Sequence, residues 1–136
     1  MASYETTLKS RKDVARDTTA FFFNKPEGFS FEAGQTLSLT LPNPGDAEHP
    51  TQKHTFSIIS APFEDHVGIA TRMRDSAFKR ELGTLQPGSA VTFSGPYGKL
   101  TLPPEAAHPI VLIAGGIGIT PYLSMLRQAA HGKLPH

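Results

Sequence analysis

The 136-residue sequence contains no cysteine and no tryptophan. The absence of cysteine excludes a disulfide framework, thiol catalysis and a zinc knuckle, and it leaves the redox compartment unassigned. An excess of one charge is also missing, because 13 Lys and Arg residues stand against 12 Asp and Glu residues and no long basic block occurs. We therefore expect no nucleic-acid partner, although a local phosphate site remains compatible with the sequence.

Long hydrophobic runs are absent as well. The longest apolar stretch, residues 110–119, is interrupted by glycines and is far shorter than the ~20 residues that span a bilayer. The first residues show no basic segment followed by an apolar run, which is the pattern of a secretory signal. The sequence therefore predicts no membrane span and a cytoplasmic location.

Glycine and proline are abundant, at 12 residues each, while 38% of the residues are hydrophobic. This composition can form a core and favours turns and short strands over long helices. The length allows one domain, or one domain and a fragment of a second. We therefore expect a mainly β body.

Alternating apolar and polar residues predict six strands, and one short helix interrupts them. Asp75 or Ser76 can cap this helix, which runs to Leu82, and Gly83 can end it. A tight turn is expected at residues 95–98. The predicted strands cover residues 4–8, 14–23, 35–41, 54–59, 67–73 and 90–94. Six consecutive strands indicate an antiparallel barrel or a sandwich.

The character of the sequence changes after Pro104. Residues 109–114 form an uninterrupted apolar run, typical of a buried parallel strand, and a glycine-rich loop follows at residues 115–121. Pro121 suits the first turn of a helix that continues to about Ala130. A glycine loop at a helix N-terminus can approach a phosphate, but it equally fits a purely structural turn. Pro121 stands where the dinucleotide fingerprint has its third glycine.

A second candidate lies on the strand at residues 54–57. His54 and Phe56 share one face of this strand, and Thr55 and Ser57 share the other. A flat ligand needs an apolar wall with hydrogen-bonding groups at its edge, and this strand offers both, although Phe56 also fits a core position. Basic residues surround the start of the short helix, where either a pyrophosphate or only solvent would face them: Arg72, Arg74, Lys79 and Arg80.

Two other patterns carry little weight. Ser76 and Lys79 match the S-x-x-K pattern of serine β-lactamases and penicillin-binding proteins, but the accompanying S-D-N and K-T-G elements are missing. The six histidines are residues 49, 54, 66, 108, 131 and 136. None of them pairs at the i, i+4 spacing of helical metal ligands, so we expect no metal site.

Four segments, taken together in this order, resemble the ferredoxin–NADP reductase superfamily across almost the whole chain. They are His-Thr-Phe-Ser at 54–57, Ile-Ala-Thr-Arg-Met-Arg-Asp-Ser at 69–76, Gly-Pro-Tyr-Gly at 95–98 and Gly-Gly-Ile-Gly-Ile-Thr-Pro at 115–121. The resemblance implies a six-stranded antiparallel Greek-key barrel that binds flavin in residues 1–104. It also implies that residues 105–136 are the first strand and helix of a Rossmann-like NAD(P)-binding domain.

The resemblance further implies a function and a set of site residues. NAD(P)H would reduce the flavin, and an iron centre, haem, flavodoxin or small molecule would accept the electrons. Ser57 and Thr120 would lie at the reacting centre. The flavin would contact His54, Thr55, Phe56, Ser57, Thr71, Arg72, Met73, Ser76 and Ala77, and the NAD(P)H phosphates would contact Gly116, Gly118 and Pro121.

Two positions depart from the superfamily pattern. His54 replaces an arginine that binds the flavin phosphate, and Met73 replaces a glycine that opens the helix. A histidine cannot offer the bidentate fork of an arginine, so the phosphate contact is weakened or passes to Arg72 or Arg74. The His-x-Phe-Ser and Gly-Pro-Tyr-Gly forms resemble the ferric reductase and NADPH oxidase branch, which favours FAD over FMN.

The sequence holds only the first part of the expected NAD(P)-binding domain. Residues 110–113 would then lack neighbouring strands, so we expect self-association, in the simplest case a homodimer, or packing back on the barrel. Two alternatives to a reductase remain open at this stage. One is a flavin-binding module without turnover, and the other is a flavin-free barrel that serves in assembly.

Overall fold

The computed structural model describes residues 2–103 and 109–133. Within these residues, six strands form one antiparallel sheet in the order β4-β3-β6-β1-β2-β5. The strands are β1 (Ser3–Ala15), β2 (Thr18–Asn24), β3 (Thr36–Pro42), β4 (Thr51–Ser57), β5 (His66–Arg72) and β6 (Ala90–Tyr97), and the helices are α1 (Ala77–Thr84) and α2 (Thr120–Gly132). The expectation of a mainly β fold with six antiparallel strands is confirmed.

Strand β3 shows why the alternation in the sequence was informative. Leu37, Leu39 and Leu41 are all fully buried in the core, as their shared face predicted. The opposite face is less exposed than a purely polar face would be. Ser38 on that face is buried and shares a 2.7 Å hydrogen bond with the hydroxyl of Thr55 on β4. The buried hydroxyl is therefore satisfied across the strand pair.

Strand β1 is much longer than the predicted strand at residues 4–8, and it includes Val14, which we had expected in the next strand. The chain reverses at residues 16–17, where Asp17 has a φ of 52°. Residues 9–13 are mostly charged, so they show no hydrophobic alternation. They form a strand because their backbone pairs with β2, and side-chain patterns do not report such pairing.

Two expected chain breaks are wrong. Most of the predicted turn at residues 95–98 belongs to β6, and Tyr97 pairs with Thr36 of β3. Gly95 has a φ of 141°, and a Cβ there would lie 3.2 Å from the Thr36 carbonyl oxygen, so glycine serves close strand approach. Gly83 lies inside α1, whose C-cap is Leu85.

The expected parallel strand at residues 109–114 is not formed. No strand of the described residues pairs with this segment, and the side chains of Val111 and Ile113 are 81% and 83% exposed. A single extended segment has no ladder to satisfy its backbone groups, so its apolar composition alone does not make it a strand. The expected domain boundary at 104/105 lies outside the described residues.

Helix α2 packs on the barrel through its buried residues. The Ser124 hydroxyl donates a 2.6 Å hydrogen bond to the Ser60 carbonyl oxygen, and Met125 is buried. Arg127 donates to both carboxylate oxygens of Glu64, with Nε 3.1 Å from Oε2. Neither helix in the described part of the chain has the length and apolarity needed to cross a lipid bilayer.

The Glu64–Arg127 pair makes α2 docking sensitive to acid. Burial by itself would raise the pKa of Glu64, but hydrogen bonds from Arg127 and the Ala61 amide outweigh it and hold this pKa below its usual value. A carboxylate with a lowered folded-state pKa contributes stability above its unfolded-state pKa. That contribution is lost as the pH falls through the folded-state value.

We expect Glu64→Gln to reduce the free energy of unfolding by about 1 kcal/mol at pH 7. Urea unfolding of both proteins at neutral pH and at about pH 3, below the ordinary glutamate pKa, measures this difference. The difference should shrink on acidification, because the stabilising contribution of the carboxylate is lost as the pH falls from its unfolded-state pKa through its lowered folded-state pKa. A difference that stays constant with pH would contradict this role of Glu64.

Candidate functional site

The two edges of the sheet, β4 and β5, meet at one end and diverge at the other. Where they meet, the Ile59 amide donates to the Gly68 carbonyl at 2.8 Å, and the Gly68 amide donates to the Ser60 hydroxyl at 2.9 Å. Toward the other end, the described residues show no backbone pairing between these two strands. The opening between residues 54–57 of β4 and residues 70–72 of β5 is called the seam below.

An aromatic wall lines the β4 side of the seam. His54 and Phe56 lie on one face of β4, as expected, and both contact the buried ring of Phe78 in α1. The His54 and Phe78 rings are stacked at 4.1 Å and 11°, and the Phe56 and Phe78 centroids are 5.8 Å apart. Sequence reasoning missed Phe78, although an apolar residue near the start of a short helix indicates a core contact.

The other two predicted residues of β4 lie apart from this wall. Thr55 points to the opposite face, where its hydroxyl bonds Ser38. Ser57 is the last residue of β4 and is half-buried, just before the point where β4 and β5 meet. The structure therefore places Ser57 at the closed end of the seam and Thr55 outside the aromatic wall.

The β5 side of the seam ends in two neighbouring residues that face opposite ways. Thr71 is 6% exposed, and its hydroxyl accepts a hydrogen bond from the ammonium group of Lys79. Arg72 is exposed and lines a cleft on the outer face of the barrel. Met73 is half-buried against the core, and its amide donates to the Asp17 carbonyl at 2.6 Å. Met73 therefore serves packing at the position where the superfamily has glycine.

Helix α1 begins directly beside the seam. Ser76 is its N-cap, and the Ser76 hydroxyl accepts a hydrogen bond from the Lys79 amide at 3.3 Å. Ala77 is the first helical residue and is exposed. The first backbone N–H groups of a helix have no intrahelical acceptor and carry partial positive charge, which suits an anion. Lys79 connects this helix start to the aromatic wall, because its amide donates to Ser76 and its ammonium lies over the Phe56 ring.

Lys79 is the most unusual ionisable group of the seam. Its Nζ lies 5.2 Å from the centroid of the Phe56 ring and donates to Thr71. Burial lowers the pKa of Lys79, and the nearby charge of Arg74 lowers it further. Among residues 2–103 and 109–133, no carboxylate lies within ion-pair distance of this ammonium. A partly desolvated cation in this setting is stabilised by an anionic ligand.

The second candidate site is a cleft of about 610 Å³ between the outer face of the barrel and the start of α2. The lining of this cleft is mainly apolar, and it also includes Arg16, Arg72 and Arg74. Gly116 and Thr120 also line it, and the Thr120 hydroxyl donates to the Ile117 carbonyl at 2.9 Å. The seam and this cleft therefore adjoin at the end of β5, where Thr71 contacts Lys79 while Ala70 and Arg72 line the cleft.

The glycine loop leaves room at its backbone. Gly116 has a φ of 56°, and a Cβ on Gly116 or Gly118 would meet no atom within 4 Å. Residues 116–119 form a 3₁₀ turn that leads into α2, and Pro121 is buried in the first turn of this helix. The expected helix from Pro121 is confirmed, and its N-terminal loop is open to a ligand.

Comparisons with known proteins give a consistent picture. No protein-family model matches the chain. The chain is 34% identical to ferredoxin–NADP reductase B of Sorangium cellulosum over 130 residues, which covers 93% of this chain and 52% of that protein. It is 32% identical to phthalate dioxygenase reductase of Burkholderia cepacia over 128 residues, which covers 89% of this chain and 37% of that protein.

Solved structures agree with these relatives. The crystal structure of phthalate dioxygenase reductase matches 96% of this chain with a TM-score of 0.78 and 29% identity, and the match covers 40% of that chain. A cytochrome P450 reductase of Amycolatopsis matches 98% of this chain with a TM-score of 0.80 and 28% identity, over 40% of its own length. The chain thus spans about half, or less, of the length of these proteins.

Proposed function

The chain belongs to the ferredoxin–NADP reductase superfamily, and from this membership we propose that it is the FAD-binding part of an NAD(P)H-dependent flavoprotein reductase. The observation that carries the proposal is the seam. There the ring of Phe56, the capped start of α1 and the Lys79 ammonium lie together. A flavin nucleotide needs a flat wall for its ring system and positive groups for its phosphates, and the seam offers both.

The residues of the seam fit FAD in their chemistry. Phe56 supplies an apolar face, and Ser57 supplies a hydroxyl at the closed end of the opening. The Ala77 amide at the start of α1 suits a phosphate oxygen, whereas the Ser76 amide already donates to the Arg74 carbonyl at 3.0 Å. Thr71 adds a buried hydroxyl. Bound FAD would supply the ability to accept two electrons from a nicotinamide and to pass them on. We keep FAD ahead of FMN because of the branch-specific motifs.

The cleft beside α2 supports NAD(P)H as the electron donor. Gly116 and Gly118 leave space for close approach of a phosphate, and the arginines that line the cleft match its charge. Thr120 lines the cleft, whereas Pro121 is buried in the first turn of α2. We propose Ser57 and Thr120 as the residues nearest the reacting groups, with the domain division at 104/105 that the sequence predicts.

The relatives suggest the class of electron acceptor. The structure of phthalate dioxygenase reductase is described as a modular system for electron transfer from pyridine nucleotides to [2Fe–2S], and another match is a cytochrome P450 reductase. We propose an iron centre, in an iron–sulfur or haem partner, as the acceptor. Flavodoxin or a small molecule is the alternative.

A flavin titration tests the proposed function. We expect the purified chain to quench the fluorescence of added FAD and to retain it through gel filtration. Addition of NADH, followed at 340 nm, then separates two outcomes. Oxidation above that of free FAD supports a complete donor site, whereas binding without oxidation identifies a flavin module without turnover. A protein that neither quenches nor retains FAD is a flavin-free barrel, and that result overturns the proposal.

The homodimer and the cytoplasmic location are also proposals. Self-association is supported by the exposed apolar side chains of Val111, Ile113 and Leu126. Light scattering coupled to size-exclusion chromatography measures it directly. A monomeric mass at high protein concentration would contradict the dimer without affecting the proposed flavin site.

A further inference from the structure

His54 cannot make the bidentate phosphate contact of an arginine, so another cation is needed if this chain is to hold a flavin phosphate as firmly. The imidazole of His54 lies flat against the buried ring of Phe78, with the two rings only 11° from parallel. Packing therefore determines its orientation. A histidine also lacks the planar fork with which arginine holds a phosphate.

The two arginines that the sequence suggested as replacements face the cleft rather than the seam, although Arg74 is near enough to Lys79 for its charge to lower the pKa of that lysine. Arg72 and Arg74 both line the cleft beside α2, and Arg80 forms an ion pair with Asp75. Lys79 differs from all three. Its ammonium lies within the seam between the Phe56 ring and the Thr71 hydroxyl, with no carboxylate partner in the described part of the chain.

We propose that Lys79 is the cation that binds the phosphate groups of the cofactor, in the role that the superfamily gives to an arginine at the position of His54. This inference rests on the proposed function. Lys79 is half-buried, so its charge lacks part of its hydration and gains from an anion. A lysine stem is flexible, so the ammonium can leave the face of Phe56 when a planar ring packs there.

Three flavins separate the phosphate contact from the ring contact. FAD and FMN carry phosphate, whereas riboflavin has the same ring system without it. We expect Lys79→Gln to raise the dissociation constants of FAD and FMN by about tenfold to a hundredfold, which is the range of a charge-assisted hydrogen bond. The dissociation constant of riboflavin should change by less than about twofold, because the aromatic wall that binds the flavin ring is intact. Fluorescence titration gives all three dissociation constants without any turnover.

Two further variants control the experiment. Lys79→Arg keeps the charge and should retain most of the FAD affinity. Lys53→Gln removes an exposed lysine from the opposite face of β4 and should leave all three affinities unchanged. Lys79 has no carboxylate partner in the described part of the chain, and a glutamine side chain keeps N–H donors for Thr71, so the thermal unfolding temperature should change little. If Lys79→Gln nevertheless fails to fold, the salt dependence of FAD binding by the wild type and Lys79→Arg provides the test.

The outcomes distinguish this inference from the proposed function. Equal FAD affinity in wild type and Lys79→Gln, or an equal loss for riboflavin, overturns the role of Lys79 while the flavin site stands. FAD binding that is independent of salt also overturns it. A wild-type protein that binds none of the three flavins overturns the proposed function itself.

Discussion

Replacement of Phe56 by alanine should weaken FAD binding by roughly tenfold to a hundredfold, because stacking on an aromatic side chain contributes about 1–3 kcal/mol per planar ring. Phe56 is half-buried on the β4 side of the seam, and the Lys79 ammonium lies over its ring. The loss should affect FAD, FMN and riboflavin alike, since all three share the ring system. This common loss is the opposite of the phosphate-dependent pattern expected for Lys79.

Two variants serve as controls for Phe56→Ala. Phe56→Tyr keeps the aromatic face and should retain the affinity within a few-fold. Phe63→Ala removes a ring that is 47% exposed and stacks on His131 of α2, so it should leave flavin binding unchanged. Fluorescence titration of the wild type and the three variants measures the FAD dissociation constant of each. If Phe56→Ala binds FAD as tightly as the wild type does, the flavin ring does not lie on β4.

Substitution of Gly34 by alanine should have the largest effect on stability, a loss of about 3 kcal/mol or more. Gly34 has a φ of 105°, a backbone conformation that residues other than glycine rarely adopt. A Cβ at this position would also lie 1.9 Å from the carbonyl oxygen of Leu100 and 2.4 Å from Cε of Met125. The backbone contact cannot relax by a simple rotation, so the segment at Leu100 has to move.

Gly28 supplies a matched control for Gly34. Its φ is 78°, but a Cβ there would meet nothing within 4 Å. Gly28→Ala therefore isolates the conformational cost, about 1–2 kcal/mol for a left-handed residue. Urea unfolding followed by circular dichroism should give a clearly lower midpoint for Gly34→Ala than for Gly28→Ala. Equal midpoints would show that the chain at Leu100 and Met125 adjusts without cost.

The sequence predicted best where one strand face is buried and the other is not. Leu37, Leu39 and Leu41 alternate with polar residues, and all three lie in the core of β3. Ser76 was one of two candidate caps, and it is the N-cap of α1. These predictions succeeded because alternation and capping depend on neighbours in the chain, which the sequence contains directly.

Predictions failed where the outcome depends on a partner strand. Residues 109–114 are as apolar as a buried strand, yet the described residues offer them no ladder. The charged residues 9–13 show no strand pattern, yet they pair with β2. A strand exists only when another backbone satisfies its hydrogen bonds, and a single sequence does not show which backbone that is.

By itself, the sequence determined the six-stranded β architecture, the family resemblance and the two segments where a flavin and its donor are expected. Tertiary structure alone decided which cation reaches the seam. Arg72 and Lys79 are both basic residues near the start of α1. Arg72 lines the cleft beside α2, because it follows Thr71 on β5 and points the opposite way. Lys79 lies in the first turn of α1, which places its ammonium over Phe56. Side-chain direction depends on the register of β5 and the position of α1, and long-range packing sets both.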